Sequence, residues 1–191
     1  MKFLALRRKI NFNLFSLTDV NKLFPQENSQ LVKTQLHRFA KRKLITQVKR
    51  GWYCFDPAKI DELILANILY QPSYISLETA LNYYGLIPDI TQGITSITLT
   101  TTKKITNNFG VFYYTKINQP LFYGFTKIKS AQSKRFFNLA FKEKALLDYF
   151  YIRKIKKVTD LRINLNLVDS QIYKKMAKNF PLWVQKVSLN E

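Results

Sequence analysis

Three times before residue 45, apolar positions in this chain recur at helical spacing. Residues 2 to 10 hold Phe3, Leu4, Leu6 and Ile10 with Arg7, Arg8 and Lys9 between them, the pattern of a short helix with one apolar side. In FSLTDVNKLF the next stripe is Leu17, Val20, Leu23 and Phe24. Ser16 and Asp19 predict a capping box with Asp in place of Glu, and Pro25 stops the helix. A third helix, capped by Asn28 or Ser29, runs to about Lys43. Its Val32, Leu36 and Phe39 face a core that Leu44 continues. Gln30, Thr34, His37 and Lys41 repeat the same spacing on the opposite face, with Lys33 and Arg38 beside them. From Ile45 the period shortens. Ile45 to Val48 and Trp52 to Phe55 are β-prone runs joined around Lys49, Arg50 and Gly51, a hairpin whose glycine supplies the positive φ of a tight turn. Its tip carries Lys49 and Arg50.

The pattern starts afresh after Asp56 and Pro57. IDELILANILYQ reads as a linking helix. In PSYISLETALNYYGLIPD, Ser76 caps a helix with the stripe Leu77, Ala80, Leu81 and Tyr84; Gly85 takes the left-handed position after its end and Leu86 is the apolar partner. ITSITLTT, VFYYTKI and PLFYGFTKI carry the branched and aromatic residues of strands, and their short links predict mostly antiparallel pairing. KEKALLDYFYI returns to helical spacing with Ala145, Leu146, Tyr149 and Phe150 inward. LVDSQIYKKMAKNF follows, capped by Asp169 or Ser170, with the stripe Ile172, Met176, Ala177 and Phe180.

The element order predicts an α+β protein of two domains. Residues 1–57 form a winged helix-turn-helix, in which the third helix enters the major groove of DNA and the hairpin tip lies along a phosphate backbone. Residues 58–191 form a small domain of helices and antiparallel sheet.

Charge sharpens this picture. The 191 residues include 31 Lys and Arg against 12 Asp and Glu, a formal charge of +19 that favours polyanionic partners. Codon bias toward AT would raise lysine without explaining so few carboxylates. With 47% hydrophobic and 15% aromatic residues the chain is a folded one. The single cysteine, Cys54, excludes an internal disulfide, and one Cys with one His cannot fill a four-ligand zinc shell. MKFLALRRKINFNLF lacks the apolar run of a signal peptide, and no stretch approaches the ~18 apolar residues of a membrane span, so a cytoplasmic location is expected.

FSLTDV, the third helix VxxxLHRFAKRKLI, KRGWY in the wing, PSYISLETALNYYGLIPD and FKEKALLDYFY follow one another in the order seen in the AbiEi family of transcriptional regulators. These are the antitoxin half of type IV toxin–antitoxin systems, and the resemblance covers nearly the whole chain. YISLETAL followed by YYGLIP is its most specific motif, and EKALLD some 60 residues on strengthens it. Lys142 stands where many relatives have Pro, and no longer C-terminal extension of the larger members is expected. The resemblance implies a cytoplasmic repressor that binds an inverted repeat of double-stranded DNA in its own promoter and assembles cooperatively on that DNA. It further implies a second domain that opposes a toxin of the nucleotidyltransferase class. By positional match Lys33, Thr34, His37, Arg38 and Lys41 read the DNA with Lys49 and Arg50 in the wing, and Gln30 joins them from the helical face.

Catalysis is not expected. A restriction-type nuclease wants a carboxylate followed by a strand carrying D/E-x-K, to hold a metal ion and polarise the phosphate. Here Glu143 and Lys144 are adjacent in a helix, and Glu143 and Asp148 read as helix-terminal and surface charges. There is no glycine-rich phosphate loop and no G-S followed by D-x-D, so the chain is not the toxin; with a single His and a single Cys, acyl-transfer triads are nearly excluded as well. No cofactor or metal is expected. The alternatives are a stand-alone regulator without a toxin and a non-catalytic RNA-binding protein. For the latter, Tyr83, Tyr84, Phe112, Tyr113, Tyr114, Phe122 and Tyr123 would stack on unpaired bases if exposed; neighbouring aromatics on a strand face opposite sides, so one set belongs to the core.

Overall fold

A computed structural model of the chain describes residues 1–89, 91–158 and 162–187; the remaining positions of the expected 58–191 domain lie outside the described residues. The chain is mixed α and β and divides into two compact units, Met1–Asp61 with Ala131–Lys134, and Glu62–Ser130 with Arg135–Glu191. No helix among the described residues is long and apolar enough to cross a membrane.

The first unit runs α1 (Phe3–Lys9), β1 (Leu14–Ser16), α2 (Leu17–Leu23), α3 (Ser29–Lys41), β2 (Thr46–Lys49) and β3 (Trp52–Cys54). The Ser16 side chain accepts from the Asp19 N–H at 3.1 Å and the Asp19 carboxylate from the Ser16 N–H at 2.7 Å, a reciprocal cap on α2. Asn28 Oδ1 caps α3, accepting from Gln30 N–H at 2.8 Å and from Leu31 N–H. Val32, Leu36 and Phe39 point inward from α3 and pack with Leu6, Ile10, Phe15, Val20, Phe24, Ile45 and Tyr53. Helix α3 ends two residues earlier than its periodicity predicts, because Lys43 turns left-handed at φ 56°.

Strand β1 is an addition to the sequence reading. It joins the hairpin in the order β1-β3-β2, antiparallel to β3, with Leu14 opposite Cys54 and Ser16 opposite Trp52. All three of its residues are buried, so they show no alternation to read. In the hairpin Lys49 pairs with Trp52, so Arg50 and Gly51 alone make the turn and Lys49 is the last rung rather than part of the tip. Gly51 has φ 78°, and its carbonyl accepts from Leu17 N–H at 2.8 Å, which ties the turn to the start of α2.

The second unit runs α4 (Glu62–Leu69), β4 (Ser73–Ile75), α5 (Leu77–Tyr83), β5 (Ile94–Thr98), β6 (Lys103–Asn107), β7 (Gly110–Lys116), β8 (Phe125–Lys129), β9 (Phe136–Ala140), α6 (Lys142–Arg153), α7 (Ser170–Ala177) and α8 (Leu182–Gln185). Among the described residues its sheet has six strands in the order β6-β7-β5-β4-β9-β8, and it is mixed rather than antiparallel. Strands β4/β5, β6/β7 and β8/β9 pair antiparallel, but β5/β7 and β4/β9 are parallel. The parallel pairs arise because β6 passes to the edge and returns β7 beside β5, and because β9 comes back to β4 from far along the chain. Neither is a link between consecutive strands.

Helix α5 ends in a Schellman motif: Leu86 N–H donates to Leu81 O at 2.8 Å and Gly85 N–H to Asn82 O at 2.9 Å, with Gly85 at φ 72°. Its start departs from expectation. Ser76 makes no side-chain cap, and the Thr79 N–H donates instead to Thr95 Oγ1 at 3.0 Å. On α7 the cap is Asp169, and the buried stripe is Tyr173, Ala177 and Phe180; Ile172 points outward, 44% exposed. The larger Tyr173 ring, one position on, takes the inward place at the same helical spacing. Phe112 and Tyr114 are core residues, whereas Tyr83 is exposed.

Candidate nucleic-acid interface

Helix α3 divides cleanly along its length. With Val32, Leu36 and Phe39 committed to the core, its outer face presents Gln30, Lys33, Thr34, His37, Arg38 and Lys41, all exposed. Thr34 Oγ donates to the Gln30 carbonyl at 3.0 Å, so its hydroxyl proton is used within the helix. What Thr34 offers outward is a methyl group and lone pairs.

Four of these residues share a cleft with the hairpin. An open groove of about 420 Å³ is lined by Gln30, Lys33, Thr34 and His37 from α3, by Gln47, Arg50 and Gly51 from the hairpin, and by Leu17 and Tyr53 beneath. The hydrogen bond from Leu17 to Gly51 closes one side, which fixes the turn relative to the helix pair. Arg38 and Lys41 lie further along α3 and do not line the groove, and neither does Lys49. Gln47 is the contributor that sequence reasoning missed. Its signal was the hairpin alternation, in which Gln47 is the exposed position between half-buried Thr46 and Val48.

Two of the three cations of α1 are engaged locally. The Arg7 guanidinium lies 4.4 Å from the Phe55 ring centre, and Lys9 Nζ donates to Leu23 O at 2.9 Å while lying 4.4 Å over Phe24. Both stems cover apolar surface while the residues stay exposed. Cys54 is buried in β3, and burial pushes its thiol up to about 11, which keeps it protonated and unreactive at neutral pH.

In the second unit the charges read from sequence as surface groups are buried. Asp148 and Lys144 have no solvent exposure and Glu143 only 3%. Lys144 Nζ donates to Asp148 Oδ1 and, at 2.9 Å, to the Tyr74 hydroxyl. Tyr74 donates in turn to Asp148 Oδ2 at 2.9 Å, and Ser76 Oγ to the same oxygen at 2.8 Å. That bond is why Ser76 does not cap α5. The remaining side of the ammonium faces the rings of Tyr74, Tyr123 and Phe180 at 5.3 to 5.4 Å. Burial pushes Lys144 down and Asp148 up, and their mutual attraction with the hydrogen bonds on the carboxylate opposes both shifts. Glu143 accepts from the Asp169 N–H at 3.1 Å, linking α6 to the start of α7. These are ties between elements, and the Lys144–Asp148 pair is closed to solvent.

No protein-family model matches the chain, and no curated protein matches its sequence.

Proposed function

We propose that this chain is a sequence-specific DNA-binding repressor built as a winged helix-turn-helix followed by an α+β domain, and that it acts as the antitoxin of an AbiEi-like type IV system in the cytoplasm. The observation that carries the reading is the groove in which Gln30, Lys33, Thr34 and His37 of α3 meet Arg50 of the hairpin turn. A helix presenting polar side chains of base-reading length, with cations at its margins and a second cation on an adjoining hairpin, is what major-groove recognition beside a phosphate backbone needs.

Each residue then has a role set by its chemistry. Gln30 and His37 offer donors and acceptors to base edges. Thr34, with its proton bonded to Gln30, meets a thymine methyl or a base amino group. Lys33, Arg38 and Lys41 neutralise phosphates flanking the groove, and Arg50 with Lys49 does so from the wing. The inverted repeat and cooperative assembly on DNA come from the family resemblance, as does the opposing nucleotidyltransferase toxin.

The test is binding of the purified protein to the duplex upstream of its own gene against scrambled DNA of equal length, between ~50 and ~200 mM salt. A short protected repeat that survives the high-salt end supports the repressor. Equal, weak binding to both duplexes overturns it. Co-expression with a neighbouring nucleotidyltransferase gene tests the antitoxin part: growth restored supports it, and continued toxicity alongside intact operator binding leaves a stand-alone regulator.

A further inference from the structure

The second unit carries a separate cleft of about 610 Å³, lined by Lys116, Tyr151, Ile152, Lys154, Lys156 and Trp183. Its volume falls in the range of small-ligand clefts, about 300 to 1,000 Å³. Three lysines and no carboxylate line it, and among the described residues none of the three is ion-paired. Tyr151 and Trp183 stand nearly parallel at its wall, ring centres 6.1 Å apart and planes 22° from each other. Tyr151 is held edge-on by Phe180 at 5.8 Å, so this wall is braced from behind.

The backbone builds the cationic side. Helix α6 ends at Arg153, and Lys154 follows in the left-handed conformation at φ 57°, a position glycine usually fills. Ile155 N–H donates back to Phe150 O at 3.0 Å, so the chain doubles over and both Lys154 and Lys156 border the one cleft. Lys116 arrives independently, from the end of β7.

We propose that this cleft binds an unpaired polynucleotide, its phosphates on Lys116, Lys154 and Lys156 and a base against the Tyr151–Trp183 wall. Cations beside an aromatic face in one groove are the combination that single strands use, and every base has a face to stack. A duplex fits worse, because its base faces are already covered by their neighbours. The proposal stands apart from the groove on α3 and does not depend on it.

The experiment uses the full chain and fluorescently labelled ~12-nucleotide oligouridylate and oligothymidylate, a length within single-strand site sizes. Three phosphate contacts predict a salt slope of about −2, falling to about −0.7 in the Lys154→Ala/Lys156→Ala variant. Both lysines are exposed, so that variant keeps its fold. Trp183→Ala weakens binding ~5- to 150-fold, the effect of losing one stacked base, and Trp183→Tyr restores most of it. Lys33→Ala/Arg50→Ala leaves single-strand affinity unchanged. Oligodeoxyuridylate, which shares its base with oligouridylate and its sugar with oligothymidylate, identifies whether the sugar matters. The proposal is overturned if the lysine variant binds both strands like the parent, if only Lys33→Ala/Arg50→Ala weakens them, or if polyglutamate competes as well as the oligonucleotides.

Discussion

Asp148→Asn keeps the shape of a buried side chain, removes its charge and turns one of its two accepting oxygens into a donor. Lys144 is left with no anion and no solvent, its hydrogen bond from Nζ to Tyr74 intact. A fully buried ammonium in that position sheds its proton, since buried lysines titrate as low as about 5 to 6. From an ordinary value of 10.5, deprotonation at pH 7 spans about 3.5 pH units at about 1.36 kcal/mol each, on the order of 5 kcal/mol. Independent experience with broken buried pairs, about 3 to 5 kcal/mol, agrees. Against a total stability of about 5 to 15 kcal/mol this is a large fraction. With a urea dependence of about 2 kcal/mol per molar, the unfolding midpoint falls by roughly 2.4 M.

The same reasoning fixes a pH dependence. In the variant the folded pKa of Lys144 lies below its unfolded value, so the unfolded state binds the extra proton and stability rises with pH across that interval. At pH 9 only about 1.5 pH units separate the solution from the unfolded value, and the loss shrinks to about 2 kcal/mol. The chain has two tryptophans, Trp52 in the first unit and Trp183 in the second, so urea titrations on a Trp52→Phe background report the second unit alone. A companion Lys144→Met/Asp148→Leu/Tyr74→Phe/Ser76→Ala variant, with both charges gone and no hydroxyl left without its acceptor, recovers most of the stability. A shift at pH 7 under ~0.5 M, or a gap equally wide at pH 9, would refute the electrostatic account; a companion variant as weak as the single would transfer the effect to packing.

Arg50→Ala weakens binding to every duplex alike and lowers the salt slope by about 0.9, and a loss confined to one operator base would contradict its phosphate role. Thr34→Ala or His37→Ala narrows the gap between operator and random DNA by the ~1 to 3 kcal/mol of a base contact, measured as competition between the two duplexes; an unchanged ratio removes α3 from the reading role. Cys54 resists thiol reagents at pH 8 until the first unit unfolds, which colorimetric labelling with and without urea checks, and rapid labelling of the folded protein would contradict its burial. Tyr84 is raised to about 12 by burial, so its stabilising contribution is complete below the ordinary value of 10.0 and is lost as pH rises through about 12; tyrosinate absorbance that develops fully before unfolding would oppose this.

Elements with local chemistry at their ends were legible in the sequence. The Ser16–Asp19 box, the Asn28 cap, Gly51 in the hairpin turn and the Gly85–Leu86 ending of α5 all stand where their residue types predict. What stayed hidden depends on distant partners. Strands β1 and β4 are three residues long and wholly buried, so neither shows a period. The parallel pairs of the larger sheet join strands that are not consecutive, and short links carry no information about them. Of the residues proposed to read DNA, the helical face of α3 was readable because an amphipathic helix declares both sides. That Gln47 and Arg50 share a groove with it depends on how the hairpin packs.

The most instructive miss lies in the two stretches on which the family resemblance rests most. Tyr74, Ser76 and Glu78 alternate through YISLE, and Lys144, Asp148 and Arg153 come from α6. Tyr74 and Ser76 meet the Lys144–Asp148 pair, while Glu78 accepts from Arg153 Nε at 2.6 Å. A Lys and an Asp four residues apart on a helix are, by local rules, an exposed pair worth a few tenths of a kcal/mol. Packed under β4 and α5, the same two residues can be replaced only together, because either alone leaves a polar group buried without its partner. Apolar contacts tolerate exchange among residues of similar volume. The buried polar tie does not: Lys144 and Asp148 are a pair that local rules assign to solvent, and its role becomes visible only once the fold has brought residues 74 and 148 together.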